Sequence, residues 1–387
     1  MSTGKSDVTR EIRAAVRTLC GQFPGTYWRR LDAERAYPEA FVRALTESGF
    51  LATLIPESYG GSGLGVTEAA AIVEEIHRAG CNGAACHAQM YTMGTLLRHG
   101  SEAQKAAYLP DIAAGRLRLQ AFAVTEPESG TDTAAIRTSA LRDADEYVVS
   151  GQKIWTSRAQ HSDLMLVLAR TAPADSAERP HDGLSVFLVD IRGAETRGLT
   201  IRPIRTMINH ATTEVFFDAF RIPADSLIGD EGGGFRCILD GMNAERILIA
   251  AECIGDAHWF IEKASAYARE RVVFGRPIGR NQGVQFPIAR AYAATEAAAL
   301  MVERAGELFD DGAPCGAEAN MAKLLAADAS WQAGDTCLQT FGGFGFADEF
   351  DVERKFRETR LYQVAPISTN LILAYLGEHV LDLPRSY

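Results

Sequence analysis

Two short stretches bring hydroxyls, small residues and one indole together. Ala121-Phe122-Ala123-Val124-Thr125-Glu126-Pro127-Glu128-Ser129-Gly130-Thr131-Asp132 and Gly151-Gln152-Lys153-Ile154-Trp155-Thr156-Ser157 read as a strand, a turn and a second strand. The unit looks like a flavin cradle. Such a ligand needs hydrogen-bond partners for its pyrimidine edge, a flat wall for its rings, and cations or backbone donors for a pyrophosphate. Farther along, Glu270-Arg271-Val272-Val273-Phe274-Gly275 offers an arginine, whose planar fork binds phosphate oxygens bidentately and keeps its charge. In Gln339-Thr340-Phe341-Gly342-Gly343 the glycines allow close backbone approach. Glu245 lies in the mostly apolar run Gly241-Met242-Asn243-Ala244-Glu245-Arg246-Ile247-Leu248-Ile249-Ala250, where desolvation would raise a carboxyl toward the range useful for taking a proton. Adjacent helix positions diverge, so Arg246 need not neutralise it. Each residue alone has a plainer reading: a sheet-core tryptophan, a solvated helix-end arginine, a surface glutamate.

The elements that must hold these residues follow from periodicity. From Thr9 to about Gly115 apolar residues recur at helical spacing, as in Ile12, Ala15, Val16 and Leu19. From Gln120 to about Ile228 the period becomes two, with turn residues between runs such as Tyr147-Val148-Val149, Leu164–Leu168 and Leu184–Val189. Beyond Gly232-Gly233-Gly234, alanine-rich helices run through Leu383, with breaks near Phe274-Gly275, Asp311-Gly312 and Phe341-Gly342-Gly343. Helical and strand blocks are segregated, which predicts an α+β fold rather than a doubly wound parallel sheet. The expected domains are 1–118 (helical), 119–230 (central β) and 231–387 (helical bundle). The glycines of Gly60-Gly61-Ser62-Gly63-Leu64-Gly65 do not follow a parallel strand and read as a turn, not a nucleotide loop.

Composition narrows the function. The 387 residues carry a formal charge of −11, which opposes binding to a nucleic acid backbone. The seven cysteines include no Cys-x-x-Cys pair and no histidine partners at zinc spacing, so reduced core thiols and no metal are expected. The N-terminal residues lack an apolar run and no segment is apolar enough to span a bilayer, so the expectation is a cytoplasmic protein without a membrane partner.

Over nearly its whole length the chain resembles the acyl-CoA dehydrogenase family, through the Val124-Thr125-Glu126-Pro127 and Gly130-Thr131-Asp132 turn, Gly151-Gln152-Lys153-Ile154-Trp155, Arg271–Gly275 and Gln339–Gly343. The resemblance implies a helical N-terminal domain, a central β domain and a C-terminal four-helix bundle with bound FAD. It implies that Phe122, Val124 and Thr125 line the isoalloxazine, that Thr131 sits near flavin and ligand, and that Trp155 and Ser157 cover the opposite face. Arg271, Phe274 and Gln282, with Gln339, Gly342 and Gly343, would reach the FAD of a neighbouring subunit, so a homodimer or homotetramer is expected. Ser368 and Asn370 would be further flavin contacts.

Family chemistry takes a proton from Cα of an acyl thioester while hydride leaves Cβ, with electrons passing to an electron-transfer flavoprotein. In many members the base is a Glu in a C-terminal Tyr-Glu-Gly-Thr string. Here Tyr362-Gln363-Val364-Ala365-Pro366-Ile367-Ser368-Thr369-Asn370 has no carboxylate, and Pro366 falls at that position without an N–H to donate. The isovaleryl-CoA and long-chain branch carries its base in a Gly-x-x-x-Glu-Arg context, which makes Glu245 the expected base, with Asn243, Arg246 and Thr131 on the substrate side. A short or branched acyl-CoA is the expected substrate, from the helix-borne base and the bulky Met90 and Tyr91. The alternatives are an acyl-carrier-protein thioester, a flavin-dependent monooxygenase of the same fold, and a non-catalytic flavoprotein, the last encouraged only by Pro366.

Overall fold

The computed structural model describes residues 2–173, 179 and 181–385. Helices α1 (Ser2–Cys20), α2 (Gly25–Glu34), α3 (Glu39–Glu47), α4 (Val66–Arg78), α5 (Ala84–His99) and α6 (Glu102–Ala113) come first. Strands β1 (Leu119–Ala123), β2 (Ser139–Asp143), β3 (Glu146–Ser157), β4 (Leu164–Arg170), β5 (Leu184–Asp190), β6 (Leu199–Pro203), β7 (Thr212–Pro223) and β8 (Leu227–Ile228) follow. The chain then forms α7 (Gly234–Glu270), the hairpin β9 (Val272–Val273) and β10 (Arg276–Pro277), α8 (Gln282–Asp310), α9 (Gly316–Phe341), α10 (Val352–Arg360) and α11 (Thr369–His379). The order is helices, sheet, helices, as the periodicity predicts. The break near Phe274-Gly275 is a hairpin, because left-handed backbone at both residues reverses the chain between β-branched Val272-Val273 and Arg276-Pro277. The last helix ends at His379 rather than Leu383.

Contacts divide the chain into two units, one of residues 35–64 and 84–242, the other of 1–34, 65–83 and 243–387. The first unit is built on an eight-stranded sheet in the order β6-β7-β3-β2-β4-β5-β8, with β1 parallel to β4. β4 and β5 are buried along both faces. Leu164, Leu166 and Leu168 join one core with Leu184, Val186 and Leu188, while Met165, Val167 and Ala169 join another with Phe187 and Val189. This double burial explains why the strands read as continuous apolar runs and not as an apolar-polar alternation.

In the second unit α9 packs through Ala319, Ala322, Ala326, Ala329 and Ala333, small side chains that let helix axes approach. At Gly255 of α7 a Cβ would lie 2.2 Å from the Glu74 carbonyl of α4, so only glycine fits. A buried charge cluster crosses this unit. Lys355 Nζ bonds Asp256, lies 3.1 Å from Glu358 Oε2, and donates to the Cys81 carbonyl at 3.2 Å. His77 Nε2 accepts from the Gly83 amide, which assigns the proton to Nδ1, 2.9 Å from Asp256 Oδ1. Burial would raise the Glu358 carboxyl, but Arg354 and Lys355 pull it down to about 2.

The N-terminus of α4 is occupied by a distant carboxylate. Asp310 accepts from the Val66 amide at 2.6 Å, the Thr67 amide at 3.0 Å and the Thr67 hydroxyl at 2.6 Å. The helix end that a phosphate would need behind the glycine turn therefore already holds an anion. Asp310→Ala is expected to lower unfolding stability by about 2 kcal/mol, near the upper end for a lost cap, whereas Asp310→Asn should lose less. Urea titration of the two variants measures both changes.

Candidate active site

In the sheet unit the strand-turn-strand is fastened from within. The Ile154 amide donates to the Thr125 carbonyl at 2.9 Å, tying β3 to the turn. Lys153, fully buried, donates to the Val124 carbonyl at 2.9 Å and to Glu126 Oε1 at 2.8 Å. Glu126 also accepts from the amides of Arg137 at 2.7 Å and Thr138 at 2.8 Å. Burial raises the Glu126 carboxyl, but Lys153 and these amides outweigh it and hold the group below its ordinary range. Burial depresses Lys153 to about 8 despite Glu126, so both groups are charged at neutral pH. The sequence reading missed this pair, whose one signal is that Lys153 keeps the inward parity of Tyr147 and Val149.

By that parity Trp155 would also face inward. A bulge prevents it. Lys153 pairs with Val215 and Thr156 with Thr213, so Ile154 and Trp155 together oppose the single residue Glu214. Trp155 takes φ of 61° and is 56% exposed, so it is not a sheet-core aromatic. Left-handed backbone at a bulky residue costs on the order of 1–3 kcal/mol and gathers at functional sites. Phe122, Val124, Thr125 and Ser157 are half-buried, and Thr131 is exposed on the turn.

On α5, Met90 and Met93 are fully enclosed and serve as core. Half-buried Tyr91 lies between His87 and Phe122, with ring centroids 5.0 Å and 6.0 Å away. His210 meets the guanidinium of Arg158 at 3.2 and 3.3 Å.

In the helical unit, Glu245 is 8% exposed on α7, and burial pushes its carboxyl up to about 7 against the opposite pull of Arg246. Arg246 instead donates from Nη1 to Asn243 Oδ1 at 2.8 Å, one turn back. Its Nε is buried without a hydrogen-bond partner among the described residues. Arg271 follows the last residue of α7 and is exposed, with its guanidinium 5.6 Å from the Phe344 ring centroid. This contact joins Arg271 to the segment following Gln339, Gly342 and Gly343, so the two clusters share one surface. Gly342 has φ of 59°, and a Cβ at Gly342 or Gly343 would meet nothing within 4 Å. Phe274 is 99% exposed at the hairpin tip, and Gln282 and Gln339 are exposed at the start of α8 and in the last turn of α9. Ser368 caps α11 by accepting from the Leu371 amide at 3.4 Å, Asn370 is exposed, and Pro366 is exposed in the preceding loop.

Family profiles match three consecutive parts of the chain: "Acyl-CoA dehydrogenase, N-terminal domain" over residues 6–116, "middle domain" over 121–220 and "C-terminal domain" over 232–376. The chain belongs to the acyl-CoA dehydrogenase family. It is 33% identical to the acyl-CoA dehydrogenase FadE12 of Mycobacterium tuberculosis over the full length of both, and 34% identical to an acyl-CoA dehydrogenase of Bacillus subtilis over 85% of this chain and 86% of that one. The solved glutaryl-coenzyme A dehydrogenase in complex with glutaryl-CoA superposes with a TM-score of 0.91 at 28% identity, covering 100% of this chain and 97% of that one. Acyl-CoA dehydrogenases are FAD-dependent oxidoreductases. Among the described residues no helix is long and apolar enough to cross a membrane, and no cluster of three or more His, Cys, Asp or Glu residues is arranged to hold a metal. All seven cysteines are buried.

The Glu126 and Lys153 pair yields a double-mutant test. Lys153→Met leaves Glu126 buried without its cation and is expected to cost about 3–5 kcal/mol, while Glu126→Gln combined with Lys153→Met should recover much of the loss. Urea unfolding of the two single variants and the double variant measures the recovery.

Proposed function

We propose that the chain is an FAD-dependent dehydrogenase of an acyl-CoA thioester, yielding the 2-enoyl thioester, with Glu245 as the base that takes the Cα proton. The observation that carries this reading is the buried Glu245 carboxyl, raised by desolvation to about 7. A base poised near the working pH combines a useful ionised fraction with adequate proton affinity.

The chain's own residues fit a flavin. Trp155, turned outward by its bulge, supplies a flat wall, and Phe122, Val124, Thr125, Thr131 and Ser157 surround the same turn. Arg271 supplies a phosphate-binding fork beside the open backbone of Gly342 and Gly343, with Phe274, Gln282 and Gln339 exposed for the adenosine end. Ser368 and Asn370 start α11 as further flavin contacts. When bound, FAD supplies the acceptor for the hydride that leaves Cβ. Asn243 holds Arg246 at the substrate end, while Pro366 offers no N–H to the thioester oxygen. The proposed substrate is an acyl-CoA, with half-buried Tyr91, but not the core residue Met90, in support of a short or branched chain; the electron acceptor is an electron-transfer flavoprotein and the assembly a homodimer or homotetramer, in the cytoplasm.

Anaerobic bleaching of bound flavin by a panel of acyl-CoAs tests the reaction. Glu245→Gln should bind FAD and accept electrons from dithionite, yet lose substrate-driven bleaching by roughly 10²–10⁴ in rate. Near-normal bleaching in that variant would refute the assignment.

The same carboxyl sets two pH dependences. Because the base acts when ionised, kcat/KM should climb with pH to a plateau, with an apparent pKa near 7. For stability, the folded carboxyl stays protonated between its ordinary 4.5 and about 7 while the unfolded one ionises, so unfolding grows easier as pH rises through that window. Above it the penalty amounts to about 3 kcal/mol. Glu245→Gln should therefore gain stability at pH 8 and none at pH 4, read by urea midpoints.

Arg271→Ala is expected to weaken FAD retention through dilution and dialysis. Full retention of flavin would remove Arg271 from the cofactor site.

A further inference from the structure

Lys323 stands in the alanine face of α9 and is fully buried. Its ammonium donates to the carbonyl of Tyr362 at 2.6 Å and to that of Ile367 at 2.8 Å. These two carbonyls bracket the four residues Gln363, Val364, Ala365 and Pro366, so one side chain pinches both ends of the loop. Within it the amides of Val364 and Ala365 both donate to the Leu361 carbonyl at 2.9 Å, and Gln363 Nε2 reaches Asp328 Oδ1 at 3.1 Å. These contacts hold the first half of the loop. Lys323 alone among these contacts reaches Ile367, the residue before the Ser368 cap of α11.

An apolar side chain would fill the site with no desolvation cost, but it would leave two carbonyls unmet. A compact ammonium with three donors can serve converging acceptors that a planar amide or guanidinium serves less readily. Burial lowers the Lys323 ammonium from its ordinary range, in keeping with this enclosure. The loop also carries Pro366, at the position where the resemblance to the family would place a backbone donor. Pro366 cannot donate, and the next amide along the chain is that of Ile367, whose own carbonyl Lys323 grips.

We infer that Lys323 is a positioning residue: it fixes the loop from Tyr362 to Ile367 and, through it, the start of α11 with Ser368 and Asn370. The placement of this loop at the thioester and flavin rests on the function proposed above, whereas the clamp itself does not.

Hydrogen exchange on the full chain, without substrate, tests the clamp directly. Lys323→Met should raise amide exchange across residues 362–371 by about tenfold or more, with α7 and the body of α9 protected as in the parent protein. Lys323→Gln, which keeps a donor, should show a smaller rise over the same residues and serves if the methionine variant does not fold. Unchanged exchange in 362–371, or a rise spread equally over α7 and α9, would overturn the inference. In FAD-loaded protein, Lys323→Met should lower the limiting rate of substrate-driven bleaching per bound flavin by about tenfold, with half-saturation within about threefold. A rate loss that only tracks lost flavin or lost folded protein would make Lys323 an ordinary core residue. If Glu245→Gln proved fully active, the proposed base would fall while the exchange result still decided the clamp.

Discussion

Buried backbone carbonyls outside regular structure must find donors, and in this chain buried lysines supply them at three places. The sequence has six lysines, and Lys153, Lys323 and Lys355 are fully enclosed. Each reaches at least one main-chain oxygen: that of Val124, those of Tyr362 and Ile367, and that of Cys81. A peptide carbonyl left unpaired in the interior costs as much as a lost hydrogen bond or more, so the lysines let irregular segments be packed inside instead of on the surface. Two of the three segments carry the candidate flavin and loop residues. An ammonium suits this use because its donors rotate to the acceptors, at the cost of a desolvated charge.

That cost is met differently from place to place, and the difference separates structural carboxylates from the candidate base. Glu126 faces Lys153 and two amides, and Glu358 faces Arg354 and Lys355; both are held below their ordinary range, so both are fixed anions across neutral pH. Glu245 is equally buried, but its neighbour Arg246 is turned to Asn243, and its carboxyl rises to about 7. Carboxylates of one chemical type are thus driven apart by environment, and only the raised one can exchange a proton near neutrality.

Much of this was legible in the sequence, and the failures share a cause. Apolar spacing gave the order of helices and strands, and the apolar neighbours of Glu245 gave its burial. Strand parity alone would turn Trp155 inward, because the extra residue that reverses the face of everything after it carries no compositional mark. Lys323 looks like any lysine in an alanine-rich helix, where a charge normally points to solvent. Its partners lie 39 and 44 residues away, and the Asp310 cap of α4 lies 244 residues from Val66. Local pattern reports which face of an element is apolar. It does not report which polar side chain a distant segment will call inward.

The bulge at Trp155 shows how such supports bear on function. A left-handed tryptophan that is 56% exposed gains little from burial and bears a backbone cost, so a sheet free to relax would restore the regular register. Relaxation is opposed on both sides. Lys153, two residues earlier, is locked inward by Glu126 and the Val124 carbonyl, and Thr156, the next residue, is locked inward by the Thr213 hydroxyl on its carbonyl at 2.7 Å. With both neighbours fixed, the spare residue has nowhere to go but outward. The outward indole is therefore set by the strand's own contacts, the Glu126 and Lys153 pair on one side and the Thr213 bond on the other.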